Sequence, residues 1–541
     1  MNMSKNKTNR FMPFIMAFCV VIGIIIGTFF SNHFSGNRLN VINSGSNRLN
    51  NLLHLIDDQY VDAVNIDSLV DKAIPQILAE LDPHSVYISA KDAAQATDDL
   101  KGSFSGVGVE FVIRQDTIHV QNVIQNGPAE KAGLLAGDKI VAVDGKPFVG
   151  KIVTNQEAMH RLKGPKDTKV KIGVIRYGSK KVKTFTVTRG EIPTKSVTAA
   201  YMLNDKTGYI RIKNFGENTY PEMLIALAKL SQQGFTNLCI DLRDNSGGYL
   251  TAAVNMANEF LPDKKLIVYT QGRKSPRHNY MSDGKGAYQK IPMVVLINEG
   301  SASSAEIFAG AMQDNDRATI IGRRSFGKGL VQQQIEFPDH SLIRLTIARY
   351  YTPSGRCIQK PYKKGDRLDY AMDLDKRYKH GEFTNQDSIH LSDSLKYYTL
   401  RKHRVVYGGG GIMPDYFVPL DTTKYTKMHR QLAAKSIVIN HSLKFIDAHR
   451  KELKSQYKDF DKFLATYEVP SSLIEGIIAE GKKEKIEPKD EAELIQTKKY
   501  LALQLKALVA RDIWDMSQYF QVWNETNEIV QRAVQLLTTG K

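Results

Sequence analysis

Residues 293–308 decide the fold, and they read MVVLINEGSASSAEIF. The run from Met293 to Asn298 is almost wholly apolar, which predicts a strand covered on both faces of its sheet. Small and polar residues follow it, and the segment from Ser303 to Gln313 predicts a helix. Further apolar runs and helical stretches alternate on either side, at 209–213, 221–232, 237–242, 249–260 and 318–322. This alternation is typical of an α/β core in which helices connect the strands.

Ser303 stands at the predicted junction between strand and helix. A helix begins with unpaired N–H groups and a partial positive charge, which can stabilise the tetrahedral intermediate of a serine placed there. A serine at a helix start is more often an N-cap, which is the competing interpretation. The motif by itself therefore does not assign a catalytic role.

A lysine between two glycines follows the next predicted strand, in SFGKGLVQ at 325–332. The order of strand, serine, helix, strand and lysine can bring the amine of Lys328 back to Ser303. A lysine acts as a general base only when it is neutral. Lowering its pKa from about 10.4 to 7 costs about 4.6 kcal/mol, which burial without a carboxylate partner can supply. The side-chain oxygen of Gln332 can accept an N–H of that amine without adding charge. The competing interpretation of Lys328 is a solvated loop residue.

A second serine, Ser246, stands in the sequence DNSGG at 244–248. That sequence resembles the nucleophile motif of trypsin-like and HtrA proteases. Such a serine needs a histidine and an aspartate from a β-barrel earlier in the chain, and the preceding residues predict no barrel. The alternative is that Gly247 and Gly248 shape a loop whose N–H groups face a developing oxyanion.

Residues 101–189 change to short β-like runs at 107–113, 117–123, 139–143, 169–176 and 183–188, and the sequences GPAEKAGL and GDKIVAVDG stand among them. A one-turn helix, a tight turn into a strand and an Asp-Gly hairpin, in that order, resemble a PDZ domain. The resemblance implies a carboxylate-binding loop at Gly106, Val107, Gly108 and Val109. Glycines there let backbone N–H groups approach a chain terminus, and the neighbouring strand edge can accept a peptide strand. The competing interpretation is that the two glycines only shape a β-turn.

Residues 1–31 predict a short cytoplasmic segment and a membrane anchor. Basic residues precede an uncharged stretch from Phe11 to Phe30. Twenty helical residues span about 30 Å, the thickness of the hydrocarbon core of a bilayer. The small residues of a cleavage site do not follow it, so we expect the anchor to stay uncleaved. The positive-inside rule then leaves the bulk of the chain in the periplasm or outside the cell.

Two other regions, 48–100 and 424–541, predict helices. The first is amphipathic and is interrupted by the turn-rich sequence LDPHS at 81–85. The second can form a homo-oligomer, dock an adaptor or cap the core.

Taken together, these motifs resemble the carboxyl-terminal processing proteases, also called tail-specific proteases, which are Ser–Lys endopeptidases with an embedded PDZ domain. The resemblance runs from about Val61 to Pro419 and includes the turn at 81–85, the PDZ stretch, the glycine loop before Tyr249, the serine and lysine motifs, and the glycines at 408–411. It implies that Ser303 is the nucleophile, Lys328 its base and Gln332 the support of that base.

The resemblance also implies oxyanion donors at the backbone of Ser304, Gly247 and Gly248. The chain departs from the family pattern where Ser304-Ala305 replaces Ala-Ser, which leaves Ser304 as an alternative nucleophile. Lys163 stands where relatives often carry an arginine, so we infer no regulatory contact for that position.

The sequence therefore predicts a multidomain α/β protein. Its parts are an anchor (1–31), a helical segment (48–100), a β-rich PDZ domain (101–189), an α/β Ser–Lys protease core (190–423) and a helical C-terminal region (424–541). The predicted function is that of a membrane-anchored serine endopeptidase that binds protein or peptide substrates with apolar C termini and needs no metal or cofactor. A peptide-binding PDZ scaffold with an inactive core, and an HtrA-like protease using Ser246, are the alternatives. The net charge of +17 is spread among interspersed acids and bases, so no nucleic-acid partner is expected.

Overall fold

The computed structural model describes residues 16–18, 20–23, 45–93, 101–114, 116–124, 126–135, 137–176 and 181–540. The chain separates into two compact units, 1–77 and 78–541. The predicted anchor, 11–30, lies largely outside the described residues. In the part of the chain that is described, no helix has the length and apolar character needed to cross a membrane.

The helices and strands follow the order that an α/β core with an inserted β-domain requires. The helices are α1 (Gly45–Gln59), α2 (Ile66–Ala79), α3 (Pro128–Ala132), α4 (Asn155–Leu162), α5 (Thr219–Gln232), α6 (Leu250–Asn258), α7 (Ser304–Asp314), α8 (Arg367–Ala371), α9 (Asp373–Lys379), α10 (Lys427–Ala434), α11 (Ile437–Gln456), α12 (Phe460–Thr466), α13 (Ser471–Lys483), α14 (Glu491–Ile513), α15 (Met516–Asn524) and α16 (Glu528–Thr539). The strands are β1 (Val86–Ile88), β2 (Ser103–Gly106), β3 (Val109–Arg114), β4 (Thr117–Val123), β5 (Lys139–Val143), β6 (Lys146–Pro147), β7 (Lys169–Ile175), β8 (Val182–Thr188), β9 (Gly190–Pro193), β10 (Val197–Met202), β11 (Thr207–Ile212), β12 (Asn237–Asp241), β13 (Leu266–Gln271), β14 (His278–Met281), β15 (Met293–Ile297), β16 (Thr319–Gly322), β17 (Leu330–Glu336), β18 (Leu342–Tyr351), β19 (Lys396–Tyr398), β20 (Val405–Tyr407) and β21 (Tyr416–Phe417).

The helical segment predicted at 48–100 holds α1 and α2 but is not helical throughout. The sequence at 81–85 forms a turn, and β1 follows it. Strand β1 pairs antiparallel with β18, more than 250 residues further along the chain. The prediction was wrong here because that long-range partner, rather than the local sequence, stabilises the extended backbone.

The PDZ region is a β-domain with its own core. A six-stranded sheet runs in the order β3-β4-β5-β7-β8, with β6 paired to β5, and β2 pairs with β9 where the chain enters and leaves. The core is formed by apolar side chains that alternate along these strands, together with those of α4, among them Ile118, Ile140, Phe148, Val170 and Ile172. The predicted strands at 117–123 and 139–143 are confirmed with those bounds.

The α/β core predicted at 190–423 contains a six-stranded sheet in the order β10-β11-β12-β15-β16-β21. The strands from β11 onward are parallel, and only the edge strand β10 is antiparallel. Alternate residues of β15 face opposite ways: Val295 packs with α5, α6 and α7, whereas Val294 and Leu296 pack against α16. The predicted strand buried on both faces is therefore confirmed, and its second cover is the last helix of the chain.

A second sheet stands beside the first and was not predicted. It joins β1, β18, β13 and β14, and β17 also pairs with β18 as an antiparallel hairpin. The C-terminal helices α10 to α14 form two further apolar clusters. The C-terminal region thus caps the α/β core: Ser517 and Phe520 of α15 bond to residues of β10, and α16 packs on the sheet.

Candidate active site

Ser303 directly precedes α7, in the loop that follows β15. Its backbone has φ 56° and ψ −116°, a region that non-glycine residues rarely adopt. Ser303 is the N-cap residue of α7, as the competing interpretation expects, but its backbone lies outside the extended region of an ordinary N-cap residue. Two bonds brace the loop: the Ala302 N–H donates to the Asn245 carbonyl at 2.9 Å, and the Ser301 hydroxyl donates to the Leu242 carbonyl at 2.8 Å. Strain of this kind clusters at functional sites.

Glu306, in the first turn of α7, connects the serine loop to the lysine loop. Its Oε2 accepts the N–H of Ser303 at 2.8 Å and the N–H of Lys328 at 2.9 Å. Its Oε1 accepts the Ser325 hydroxyl at 2.5 Å and the Gly327 N–H at 2.7 Å. Burial raises the pKa of Glu306 to about 7, against the four donors, which act in the opposite direction. Glu306 was not among the predicted site residues. Its position three residues after a serine that starts a helix is the sequence feature that could have indicated it.

Lys328 lies in the loop between β16 and β17 and lines the same cleft as Ser303. Burial is the main cause that lowers the pKa of its ammonium group, and the positive charge of Arg344 lowers it further. The carboxylates of Glu306 and Asp82 oppose this shift without reversing it. Burial and the charge of Arg344 both shift Lys328 in the direction that a general base requires, toward the neutral amine.

Gln332 lies on β17, on the wall of the cleft. Its Nε2 donates to the hydroxyl of Thr346 at 3.3 Å, and that hydroxyl donates to Oδ1 of Asp82 at 3.1 Å. The amide nitrogen of Gln332 therefore already donates a hydrogen bond, and the amide oxygen Oε1 is the atom that can accept one.

The glycine loop after β12 packs directly against Ser303. A Cβ at Gly247 would lie 2.6 Å from the Ser303 Cβ and 3.0 Å from the Ser304 nitrogen, so only glycine fits. The Gly247 N–H already donates to Oδ1 of Asn245 at 2.8 Å. That bond departs from the prediction that this N–H faces an oxyanion. The N–H groups of Gly248 and Ser304 make no hydrogen bond to any described residue, which leaves these two as donors.

The Ser304 side chain is buried, and its hydroxyl donates to the Gly248 carbonyl at 2.9 Å. This bond fastens the start of α7 to the glycine loop. A hydroxyl held in this way is a poor candidate for the nucleophile, which favours Ser303.

Ser246 also lines the cleft, in the exposed loop that follows β12. Among the described residues before it, the strands form the PDZ sheets, the beginning of the parallel sheet and the edge strand β1 of the second sheet, not a pair of barrels. The trypsin-like interpretation therefore lacks the scaffold that would supply its histidine and aspartate.

A single cleft of about 1260 Å³ brings the predicted catalytic residues together. Its lining includes Ser303, Ser304, Lys328, Gln332, Gly247 and Gly248. The PDZ loop at 106–109 does not line this cleft. The arrangement places a serine hydroxyl, a lysine amine and two backbone N–H groups without a partner among the described residues around one cleft, and groups of these kinds are the ones that acyl transfer needs.

Comparison with known proteins agrees with this geometry. Residues 206–367 match the family model described as Peptidase family S41, and residues 105–188 match the one described as PDZ domain. A carboxy-terminal-processing protease of Bartonella bacilliformis is 39% identical over 58% of this chain and 72% of its own length. The chain belongs to the carboxy-terminal processing protease family. It is a serine-type peptidase of that family with a PDZ domain.

Other relatives of this family are similar over the same region. The carboxy-terminal processing protease CtpB of Bacillus subtilis is 34% identical over 63% of this chain and 69% of its own length. The solved photosystem II D1 C-terminal processing protease is 30% identical, with a TM-score of 0.34, over 57% of this chain and 88% of that one. Residues 428–515 match a family of unknown function, DUF8443.

In this carboxy-terminal processing protease, the loop at 106–109 joins β2 to β3 of the PDZ domain. Gly108 has φ 78°, and its N–H makes no hydrogen bond to a described residue. The Val107 carbonyl, by contrast, accepts the Ala129 N–H at 2.8 Å, which holds the loop against α3. Lys163, at the position where relatives often carry arginine, bridges Gly106 and stacks its ammonium 4.3 Å above the ring of Phe104.

Two cleft residues of this family member were not singled out by the sequence analysis. His84 lines the cleft, and its Nε2 lies 2.9 Å from the hydroxyl of Tyr370. Burial, and then the charge of Lys328, lower the pKa of His84 to about 4, so it is neutral at pH 7. Arg344 lies on β18 and lines the same cleft. Both reach the site through the second sheet, for which the local sequence carried no signal.

Proposed function

We propose that this chain is a membrane-anchored serine endopeptidase that cleaves protein substrates captured by their C termini. Ser303 is the nucleophile, Lys328 the general base, and Gln332 holds the amine of that base. The Ser304 and Gly248 N–H groups stabilise the oxyanion. The hydrogen bonds of Glu306 to both Ser303 and Lys328 carry the proposal, because they connect the two loops that must be aligned.

Two protons pass through Lys328 in each turnover, one from Ser303 to the leaving amine and one from water back to the Ser303 oxygen. The Ser303 hydroxyl gives its proton to the neutral amine as its oxygen attacks the scissile carbonyl carbon. The C–N bond then breaks, and the Lys328 ammonium gives the proton to the leaving amine. Water attacks the acyl-enzyme while Lys328 accepts a proton from it. Collapse of that intermediate breaks the ester bond, restores the Ser303 hydroxyl and releases a carboxylate.

The PDZ domain has the role of substrate capture in this proposal. The free Gly108 N–H and the neighbouring strand edge support binding of a terminal carboxylate in an added strand. The uncharged stretch from Phe11 to Phe30 supports an anchor that leaves the rest of the chain in the periplasm or outside the cell.

The test is cleavage of a denatured, apolar-tailed protein by the full-length chain in detergent. Wild type is compared with Ser303→Ala, Lys328→Ala and Ser246→Ala. We expect cleavage by wild type and Ser246→Ala only. Activity of Lys328→Ala with loss in Ser246→Ala would move the nucleophile to Ser246. Inactivity of all four, with peptide binding retained, would favour the scaffold.

A further inference from the structure

Asp82 connects the turn at 81–85 to the strand that faces Gln332. Its side chain is buried, and Oδ1 accepts the N–H groups of His84 at 2.8 Å and Ser85 at 2.9 Å. Its Oδ2 accepts the Ser85 hydroxyl at 2.5 Å, and Ser85 Oγ accepts the Thr346 N–H at 3.1 Å. These bonds fix the carboxylate beside Thr346 on β18.

The direction of the hydrogen bonds from Asp82 to Gln332 follows from the number of protons available. A carboxylate only accepts, so the single proton of the Thr346 hydroxyl points to Asp82. The Thr346 oxygen must then accept from Gln332, which turns Nε2 toward it. The amide oxygen Oε1 is consequently on the branch directed away from Thr346.

We propose that Asp82 and Thr346 are positioning residues that decide which end of the Gln332 amide is presented to Lys328. The inference rests on the proposed role of Lys328 as base. A neutral amine has one lone pair and two N–H groups. An oxygen acceptor takes an N–H and leaves the lone pair for the Ser303 proton. A reversed amide would donate to the lone pair and block the base.

A carboxylate at position 82 suits this task better than a neutral amide. Asparagine has one side-chain oxygen for the four donors that the two oxygens of Asp82 accept. Its NH₂ group either faces Thr346, which then donates to Gln332 and reverses its amide, or takes the place of Oδ2 and loses the bond from the Ser85 hydroxyl. Asp82 does not line the cleft. It therefore acts on Lys328 through two intervening side chains, those of Thr346 and Gln332.

The experiment measures peptide cleavage by the full-length chain carrying Thr346→Val, Thr346→Ser or Asp82→Asn. Valine keeps the shape without the hydroxyl, and serine keeps the hydroxyl. We expect Thr346→Val and Asp82→Asn to lower kcat by about tenfold or more with KM within about twofold, and Thr346→Ser to retain activity. Each variant is also made with Gln332→Ala, where we expect no further loss because the effect passes through Gln332.

Several outcomes would overturn the inference. One is a wild-type kcat in Thr346→Val. Another is a loss of kcat on adding Thr346→Val to Gln332→Ala that equals its loss in the wild-type background. A third is wild-type activity of Gln332→Ala itself. In the same assay, activity of Ser303→Ala or Lys328→Ala would instead defeat the proposed dyad. A crystal structure of Thr346→Val needs no turnover: the Gln332 side chain should leave its present position, and an unchanged side chain would contradict the assignment.

Discussion

The backbone N–H of Ser303 donates to Oε2 of Glu306 at 2.8 Å, and the same oxygen accepts the N–H of Lys328 at 2.9 Å. The Tyr350 hydroxyl lies between the carbonyl oxygens of these two residues and contacts both. Ser303 and Lys328, the proposed nucleophile and base, are twenty-five positions apart in the sequence and are therefore fixed at their backbones by shared partners. Their alignment depends on the charge and geometry of one buried carboxylate.

We expect Glu306→Gln to reduce both stability and kcat. Glutamine replaces one carboxylate oxygen by an NH₂ group, which cannot accept a hydrogen bond. If it replaces Oε2, the N–H groups of Ser303 and Lys328 lose their acceptor, and if it replaces Oε1, the Ser325 hydroxyl and the Gly327 N–H lose theirs. Each buried N–H left unpaired costs about 1–3 kcal/mol of unfolding free energy. Urea unfolding and peptide cleavage measure the two effects. Glu336→Gln, exposed on the rim of the cleft, is the matched control, and wild-type kcat in Glu306→Gln would refute the assignment.

Local patterns were sufficient to predict the parallel sheet and the order of the loops that carry Ser303 and Lys328. Strand β15 is apolar at every position, and both of its faces are buried. The glycine-flanked lysine after the next strand, β16, lines the same cleft as the serine, while its role as a base stays a prediction. These features depend on elements adjacent in sequence, whose geometry is limited by the right-handed crossover.

The second sheet could not be predicted, because β1 and β13 reach β18 only over long distances in sequence, and β17 carries mixed polar residues. Strand β17 contains three consecutive glutamines and is mostly exposed, so it lacks a regular apolar pattern. Asp82 reaches Thr346 only because β1 pairs with β18. The cover supplied by α16 likewise depends on a contact between the end of the chain and its centre.

Arg344→Gln should move the acidic limb of the pH–kcat profile to higher pH. Lys328 must be neutral to act, so activity rises as its ammonium loses a proton. The positive charge of Arg344 lowers the pKa of Lys328, and removing that charge raises it. Arg349→Gln, exposed on the same strand, is the control. A limb that stays in place or moves to lower pH would show that Arg344 does not act on the base.

Ser304→Ala should lower kcat modestly and leave KM unchanged. It removes the hydroxyl bond to the Gly248 carbonyl, which holds together the two segments that carry the free N–H donors. One such bond is worth about 0.5–1.5 kcal/mol, or about two- to tenfold in rate. Steady-state cleavage of one peptide measures it. Complete loss of acyl-enzyme formation in Ser304→Ala, with acylation preserved in Ser303→Ala, would make Ser304 the nucleophile.

Substrates that end in a carboxamide should be cleaved less well than those that end in a carboxylate. A hydrogen bond to a charged group contributes about 1.5–3 kcal/mol, so kcat/KM should fall by about tenfold or more. Matched peptides that differ only at the terminus measure the effect. Equal rates for the two termini would remove the carboxylate-binding role from the loop at 106–109.

Gly108→Ala tests whether that loss arises at the PDZ loop. A Cβ at Gly108 would lie 2.8 Å from Cδ1 of Ile192, and φ is 78°, so the loop must shift. Gly145→Ala is the matched control, since φ is 75° there and a Cβ meets nothing within 4 Å. If the Gly108 N–H binds the terminus, Gly108→Ala should slow cleavage of the carboxylate peptide and leave cleavage of the carboxamide peptide unchanged. Gly145→Ala should change the cleavage rates of the two peptides by the same factor. An equal loss on both peptides would mean that the loop supports the PDZ fold without contacting the substrate terminus.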